Sequence, residues 1–268
     1  MAEINLHAPA CAKRRRLLAP EYSIEISEKS GIRYLHFGSE WIQGAMRVQR
    51  PNVLELAYTR EMMTGFLLRD APWPRKALLI GLGAGSFAKF LYHKSPETKI
   101  TVVEIDPQVE IVARLHFKLP DAPDRLKIAI GDGAEYLEKR RSKFDLILVD
   151  GFDKDANPGL LDTPNFYRNC RARLTGSGVL AVNLLGKKRF GKSAGMISEA
   201  FDGRSLVFQS TDSGNAVALA VGADPVDVSF GEISEAAGAF YKRTGLNLVS
   251  VIPRLQDSEK RIGDRLVI

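Results

Sequence analysis

Six carboxylates and one glycine cluster stand at spacings that could support chemistry. Gly81-Leu82-Gly83-Ala84-Gly85-Ser86 follows the apolar run 77–80. Glycines at a strand-to-helix turn permit positive φ and let a ligand approach the backbone closely. Ser86 stands where a G-x-G-x-x-G fingerprint has its third glycine, which sets this loop apart from a nicotinamide-dinucleotide turn. Glu104 closes the next apolar run, 100–103, and lies 19 residues after Gly85. A carboxylate there can accept hydrogen bonds from both hydroxyls of a ribose. Asp106 follows it, and with Pro107 behind it suits a helix N-cap as well as a ligand contact. Gly131-Asp132-Gly133 ends the run 126–130, where Asp132 can either receive the exocyclic amine of adenine or cap the helix after it. Asp150, Asp153 and Asp155 leave the run 144–149. Three acids in one loop can be a solvated surface. Asp150, however, directly ends a buried strand, where a carboxylate can attract a cationic amine and take its proton.

The elements that must position these residues read as alternating strands and helices. Short apolar runs at 77–80, 100–103, 126–130, 144–149 and 179–182 are separated by helical patterns at 86–94, 107–118, 133–141 and 164–174. Continuous apolar runs between helices predict a doubly wound, mostly parallel α/β sheet, with ligands bound outside the carboxyl ends of the strands. Two further runs, 206–208 and 216–221, flank Asp212-Ser213-Gly214-Asn215, a connection short enough for an antiparallel pair. Five alternating strands closed by a late hairpin is the pattern of a class I methyltransferase-like fold. Ahead of the sheet, 22–26, 33–37 and 46–48 alternate like strands of a small antiparallel β unit, and 55–69 has helical spacing. The expected division is a basic arm over 1–19, a β unit with helix and linker over 20–74, and a nucleoside-binding catalytic domain over 75–268. Residues 230–244 read as a helix, and 187–192 as a solvated basic loop.

Composition narrows the class. The chain has 268 residues, 45% hydrophobic and 26% charged, enough for a core without disulfide or metal staples. No apolar run approaches the ~18–20 residues of a membrane span. Cys11 and Cys170 are too few for a disulfide framework, and Met1–Ala10 lacks an apolar signal core, so a cytoplasmic location is expected. His7, His36, His93 and His116 lack metal-ligand spacing, and no metal is expected. The net charge of +6 falls largely on 13–16 and 187–192, away from the acids, and without interleaved aromatics it does not predict nucleic-acid binding.

The ordered set Leu79–Gly85, Val102–Asp106, Gly131–Gly133 and Asp145–Asp153 resembles the spermidine synthase (polyamine aminopropyltransferase) family over roughly residues 22–222. That resemblance implies in-line transfer of an aminopropyl group from decarboxylated S-adenosylmethionine to a small-molecule amine, leaving methylthioadenosine. It implies Asp150 as the catalytic base, Asp153 as the holder of the polyamine's cationic body, and Gly81, Gly83, Gly85, Glu104, Asp132 and Gly133 around the nucleoside. A homodimer is also common in the family. Three positions depart from its pattern: Ala84 replaces the acid of the glycine loop, Thr59-Arg60 precede Glu61-Met62 with Tyr58 one place early, and Asn183 is followed by Lys187, Lys188 and Arg189. Arg60 beside a donor tail would suit a carboxylate. The departures admit a methyltransferase using intact S-adenosylmethionine, or a non-catalytic nucleoside-binding protein.

Overall fold

The computed structural model describes residues 23–39, 41–153, 157–211 and 214–268, with the backbone alone at 187–189. The expected basic arm, Asp155, Asp212 and Ser213 lie outside the described residues.

The chain opens with an antiparallel meander of β1 (Ile24–Lys29), β2 (Ile32–Phe37) and β3 (Gly44–Arg47). Ser30 and Gly31 join the first two strands with φ of +53° and +73°, the left-handed pair that matches strand twist in a two-residue hairpin. Where a single helix over 55–69 is expected, α1 covers only Ala57–Glu61 and a 3-10 turn takes over at Met62–Leu67. The hydroxyls of Thr59 and Thr64 donate to Leu56 O and Glu61 O, competing with the α-helical ladder. The 3-10 segment is buried on every side, so it has no amphipathic face to keep in register.

The central sheet is built from β4 (Lys76–Ile80), β5 (Lys99–Glu104), β6 (Leu126–Ile130), β7 (Phe144–Val149), β8 (Leu174–Leu185), β9 (Ser205–Gln209) and β10 (Asn215–Val221). Its order is β6-β5-β4-β7-β8-β10-β9. The first five strands run parallel, and β10 pairs antiparallel with both β8 and β9. Helices α2 (Ser86–Lys94), α3 (Pro107–Phe117), α4 (Gly133–Lys139), α5 (Pro164–Arg173) and α6 (Lys187–Ala200) connect them. Strand residues alternate between two cores: Ala77, Leu79, Leu146 and Leu148 pack on one face, while Leu78, Ile80, Ile147 and Val149 pack on the other. Burial on both faces is why these strands read as unbroken apolar runs. Each such side chain contributes about 1.5–3 kcal/mol by leaving water.

The structure also corrects the reading of residues 187–192. The basic run is not a loop: it opens α6, whose buried or half-buried Phe190, Ser193, Ile197 and Ala200 recur every three or four residues. Gly191 and Gly195 dilute that pattern in the sequence. The charged tail forms a second small sheet, β11 (Asp227–Ser229), β12 (Arg261–Ile262) and β13 (Arg265–Val267), ordered β11-β13-β12. Between these strands lie α7 (Phe230–Thr244) and α8 (Ile252–Gln256), and Ser229 with Glu232 forms a capping box at the start of α7. Among the described residues no helix is long and apolar enough to cross a membrane.

Candidate active site

The chain winds from β4 outward to β6 and then returns to β7 on the other side of β4. That reversal opens a crevice at the carboxyl ends of β4 and β7, where open α/β sheets bind ligands. Gly81 and Asp150 leave those two strand ends side by side. Gly81 has φ of +93°, and a Cβ there would collide with the carbonyl oxygen of Asp150. Only glycine lets the two backbones approach so closely.

Glu104, at the end of β5, is 7% exposed and is held by backbone donors. Leu82 N donates to its Oε2 at 2.8 Å, and Asp106 N donates to its Oε1 at 3.0 Å. Burial pushes its pKa up, opposed by these backbone bonds. The residue therefore ties the glycine loop to the end of β5. Asp106 is the N-cap of α3 and accepts from Gln108 N at 2.9 Å. Asp132 is the N-cap of α4: its Oδ1 accepts from Ala134 N at 2.7 Å and Glu135 N at 3.1 Å. The capping reading is thus realised through one oxygen of Asp132. Gly133 packs against Ile80, whose Cγ2 would lie 2.5 Å from a Cβ at that position.

Asp150 is held differently, by side chains from two elements. Tyr58 of α1 donates its hydroxyl to Oδ2 at 3.1 Å, and Asn183 near the end of β8 donates Nδ2 to Oδ1 at 2.8 Å. Asn183 Oδ1 in turn accepts from Asn215 Nδ2 at 2.8 Å. Burial pushes the Asp150 pKa up, while the bonds from Asn183 and Tyr58 pull it down. The result is a carboxylate that takes a proton more readily than an exposed one. Three residues on, Asp153 Oδ1 accepts from Asn157 N at 2.8 Å.

Two of the sequence departures resolve here. Tyr58, one place early in the motif, still reaches Asp150. Arg60 is two residues on, about 200° around a helix, and so faces away. It donates to Leu54 O and Glu55 O and lines a recess with Lys94 and Asn247, at the far end of α2 from the glycine loop. The expectation of Arg60 beside the donor tail is therefore corrected. Ala84 is buried under β3, where a Cβ on Gly44 would lie 2.6 Å from the Ala84 Cβ. Sequence reasoning missed Asn215 and the partnership of Asn183 with Asp150. Asn183 does follow the apolar run 179–182 as the acids follow theirs, although β8 continues to Leu185, and that position was the available signal.

The family model described as "Spermine/spermidine synthase domain" matches residues 55–207. A polyamine aminopropyltransferase of Chromobacterium violaceum is 36% identical over 246 residues, covering 91% of this chain and 94% of the relative. One from Neisseria meningitidis is 34% identical over 241 residues, covering 90% and 91%. Among solved structures, a probable spermidine synthase from Corynebacterium glutamicum superposes with a TM-score of 0.67 at 20% identity, covering 86% of this chain and 95% of that one. Human methyltransferase-like protein 13, solved in complex with SAH, gives a TM-score of 0.62 at 23% identity, covering 71% and 93%. At these identities the structural likenesses establish the methyltransferase-like fold.

Proposed function

The chain belongs to the spermine/spermidine synthase family, a family of transferases, and from that premise we propose that it moves an aminopropyl group from decarboxylated S-adenosylmethionine to a polyamine, with Asp150 as base. The observation that carries this reading is Asp150 itself: a carboxylate at the sheet's switch point, its pKa raised by burial, beside a glycine loop fixed by Glu104.

An alkylamine has a pKa of ~10.4 and is mostly protonated at neutral pH. Asp150 takes the proton that the attacking nitrogen must shed. The nitrogen lone pair then forms the new C–N bond to the aminopropyl carbon as the C–S bond breaks. The electron pair of that bond neutralises the sulfonium, and methylthioadenosine leaves. Tyr58 and Asn183 hold the carboxylate while it gains and loses its proton. Gly81, Gly83 and Gly85 leave room for the nucleoside, Glu104 receives the ribose hydroxyls, and Asp132 and Gly133 flank the adenine. Asp153 attracts the distal ammonium of the polyamine. Positioning and electrostatics supply most of the rate. A homodimer is part of the same reading and is checked by sedimentation.

Ala84 favours a second reading, methyl transfer from intact S-adenosylmethionine, because no carboxylate stands at that position of the loop to repel the donor's own. Arg60 speaks against it, since it bonds backbone carbonyls elsewhere. Calorimetric titration with each nucleoside separates the two. Tighter binding of the decarboxylated donor, with methylthioadenosine and aminopropylated amine detected by mass spectrometry, is the expected result. A preference for intact S-adenosylmethionine, with no transfer from the decarboxylated form, would overturn it.

A further inference from the structure

Asn215 lies outside the crevice and touches neither the glycine loop nor Asp150, yet it ends a hydrogen-bond chain that runs into the site. Strand β10 is antiparallel to β8, with Val217 opposite Asn183 and Asn215 opposite Leu185. Asn215 and Asn183 are therefore diagonal neighbours on one face of the sheet, within reach of each other's side chains. Asn215 Nδ2 donates to Asn183 Oδ1 at 2.8 Å, and Asn183 Nδ2 donates to Asp150 Oδ1 at 2.8 Å. Asn183 is 5% exposed, so water does not compete freely for its amide.

An asparagine amide has nearly the same shape after a half-turn, but the turn exchanges a donor for an acceptor. While Asp150 is charged, it selects the Asn183 N–H by itself. Once Asp150 has taken a proton, that selection is gone, because a carboxylic acid can face either end of the amide. The N–H of Asn215 still demands a carbonyl oxygen on its side. We propose that Asn215 is a positioning residue for Asp150: it holds the Asn183 amide in the orientation that favours the carboxylate, so that the acid readily gives its proton up before the next turnover. The connection that carries Asn215 is anchored nearby. Glu61 Oε1 accepts from Thr211 N at 3.2 Å and Thr211 Oγ1 at 3.0 Å, and from Arg254 Nη1 at 2.6 Å. The catalytic part of this inference rests on Asp150 being the base.

The test uses Asn215→Ala, which removes the constraint, and Asn215→Asp, an isostere that offers acceptors in place of the donor. Each is made alone and with Asn183→Ala. The first readout needs no activity: carbon-13 NMR titration of the Asp150 carboxyl, assigned with Asp150→Asn. The second is the pH profile of kcat/KM for aminopropyl transfer. In N215A the Asn183 amide is free to turn once Asp150 is protonated, which favours the protonated form and raises the Asp150 midpoint; in N215D the new carboxylate also competes for the Asn183 N–H, and the midpoint rises further. The acid limb of the profile follows it upward. At pH 7, kcat/KM falls about three- to tenfold in N215A, the scale of one hydrogen bond between uncharged amides, with donor affinity unchanged. In the Asn183→Ala background, N215A adds no further shift, and N215D adds only the through-space effect of its new charge. An unchanged midpoint in both single variants overturns the proposal, as does an N215A shift that persists undiminished without Asn183. If the wild-type protein transfers nothing, the base reading fails, while the NMR titration still decides what Asn215 does.

Discussion

Asp145 and Asp150 sit at opposite ends of β7, five residues apart, and the strand uses them in opposite ways. At the amino end, Asp145 Oδ2 accepts from Arg75 N and Lys76 N, both at 2.9 Å, and its Oδ1 accepts from Thr175 Oγ1 at 2.9 Å. Two of those donors are backbone groups that exist only when β4 lies beside β7. Asp145 thereby clamps β4, β7 and β8 together. At the carboxyl end, Asp150 receives side-chain donors from Tyr58 and Asn183, which can yield or turn. Among the described residues its hydrogen bonds come from side chains, and burial raises its pKa. The contrast separates a carboxylate held by backbone groups of the neighbouring strand from one held by side chains. Glu104 shares a feature with each: backbone amides hold it, yet burial raises its pKa as at Asp150, which stands at the same edge of the sheet.

The sharpest way to break the comparison is to remove each charge in turn. Asp150→Asn is expected to lower aminopropyl transfer by about 10²–10⁴-fold, the usual worth of a positioned proton acceptor, while nucleoside affinity measured by calorimetry stays nearly constant. The fold tolerates the amide, since the Tyr58 hydroxyl can turn to accept from it. Asp145→Asn should do the reverse. Turnover of the folded fraction stays within about twofold, while urea unfolding shows a loss of about 1.5–3 kcal/mol, because an amide cannot accept from three donors as a carboxylate does. Equal effects of the two changes on turnover would erase the distinction.

Tyr58→Phe probes the adjustable end more gently. It removes one donor and keeps the ring. Losing a hydrogen bond to a charged group lowers kcat by about tenfold, with the donor's KM unchanged. If KM rises and kcat holds, Tyr58 shapes the pocket and does not serve Asp150.

Much of this site was legible before the fold was known. The order of strands followed from apolar runs that end in glycine or acid, because both faces of the sheet are buried and the chemistry collects at one edge. Asp150 and Glu104 were visible for that reason. The spacing of Tyr58 argued against its role, since motif register counts residues while contact depends on direction, and the short α1 turns Tyr58 toward the crevice and Arg60 away. Asn215 was illegible because its partner comes from strand pairing: nothing local in Gly214-Asn215-Ala216 shows that β10 inserts between β8 and β9. Helix α6 was hidden by the two glycines in its exposed face and by a basic start that reads as loop.

The smallest expected effect concerns stability, and it has a definite sign. Burial raises the Asp150 pKa in the folded protein above its ordinary carboxylate value. Below the unfolded pKa both states hold the proton, and the group contributes no penalty. As pH rises from the ordinary value through the raised folded value, the unfolded chain releases its proton first, so folding becomes progressively less favourable; above the folded pKa the penalty is complete. Asp150→Asn has no such charge to bury. The variant should therefore melt at the same temperature as wild type in acid and above it at neutral pH, with the gap opening across that window. Because Asp145 is supplied with three donors, Asp145→Asn should melt below wild type at neutral pH. A calorimetric Tm series over pH for the three proteins tests both signs together. A gap for Asp150→Asn that closes as pH rises would mean that the site stabilises the charged form of Asp150 and that its pKa is not raised.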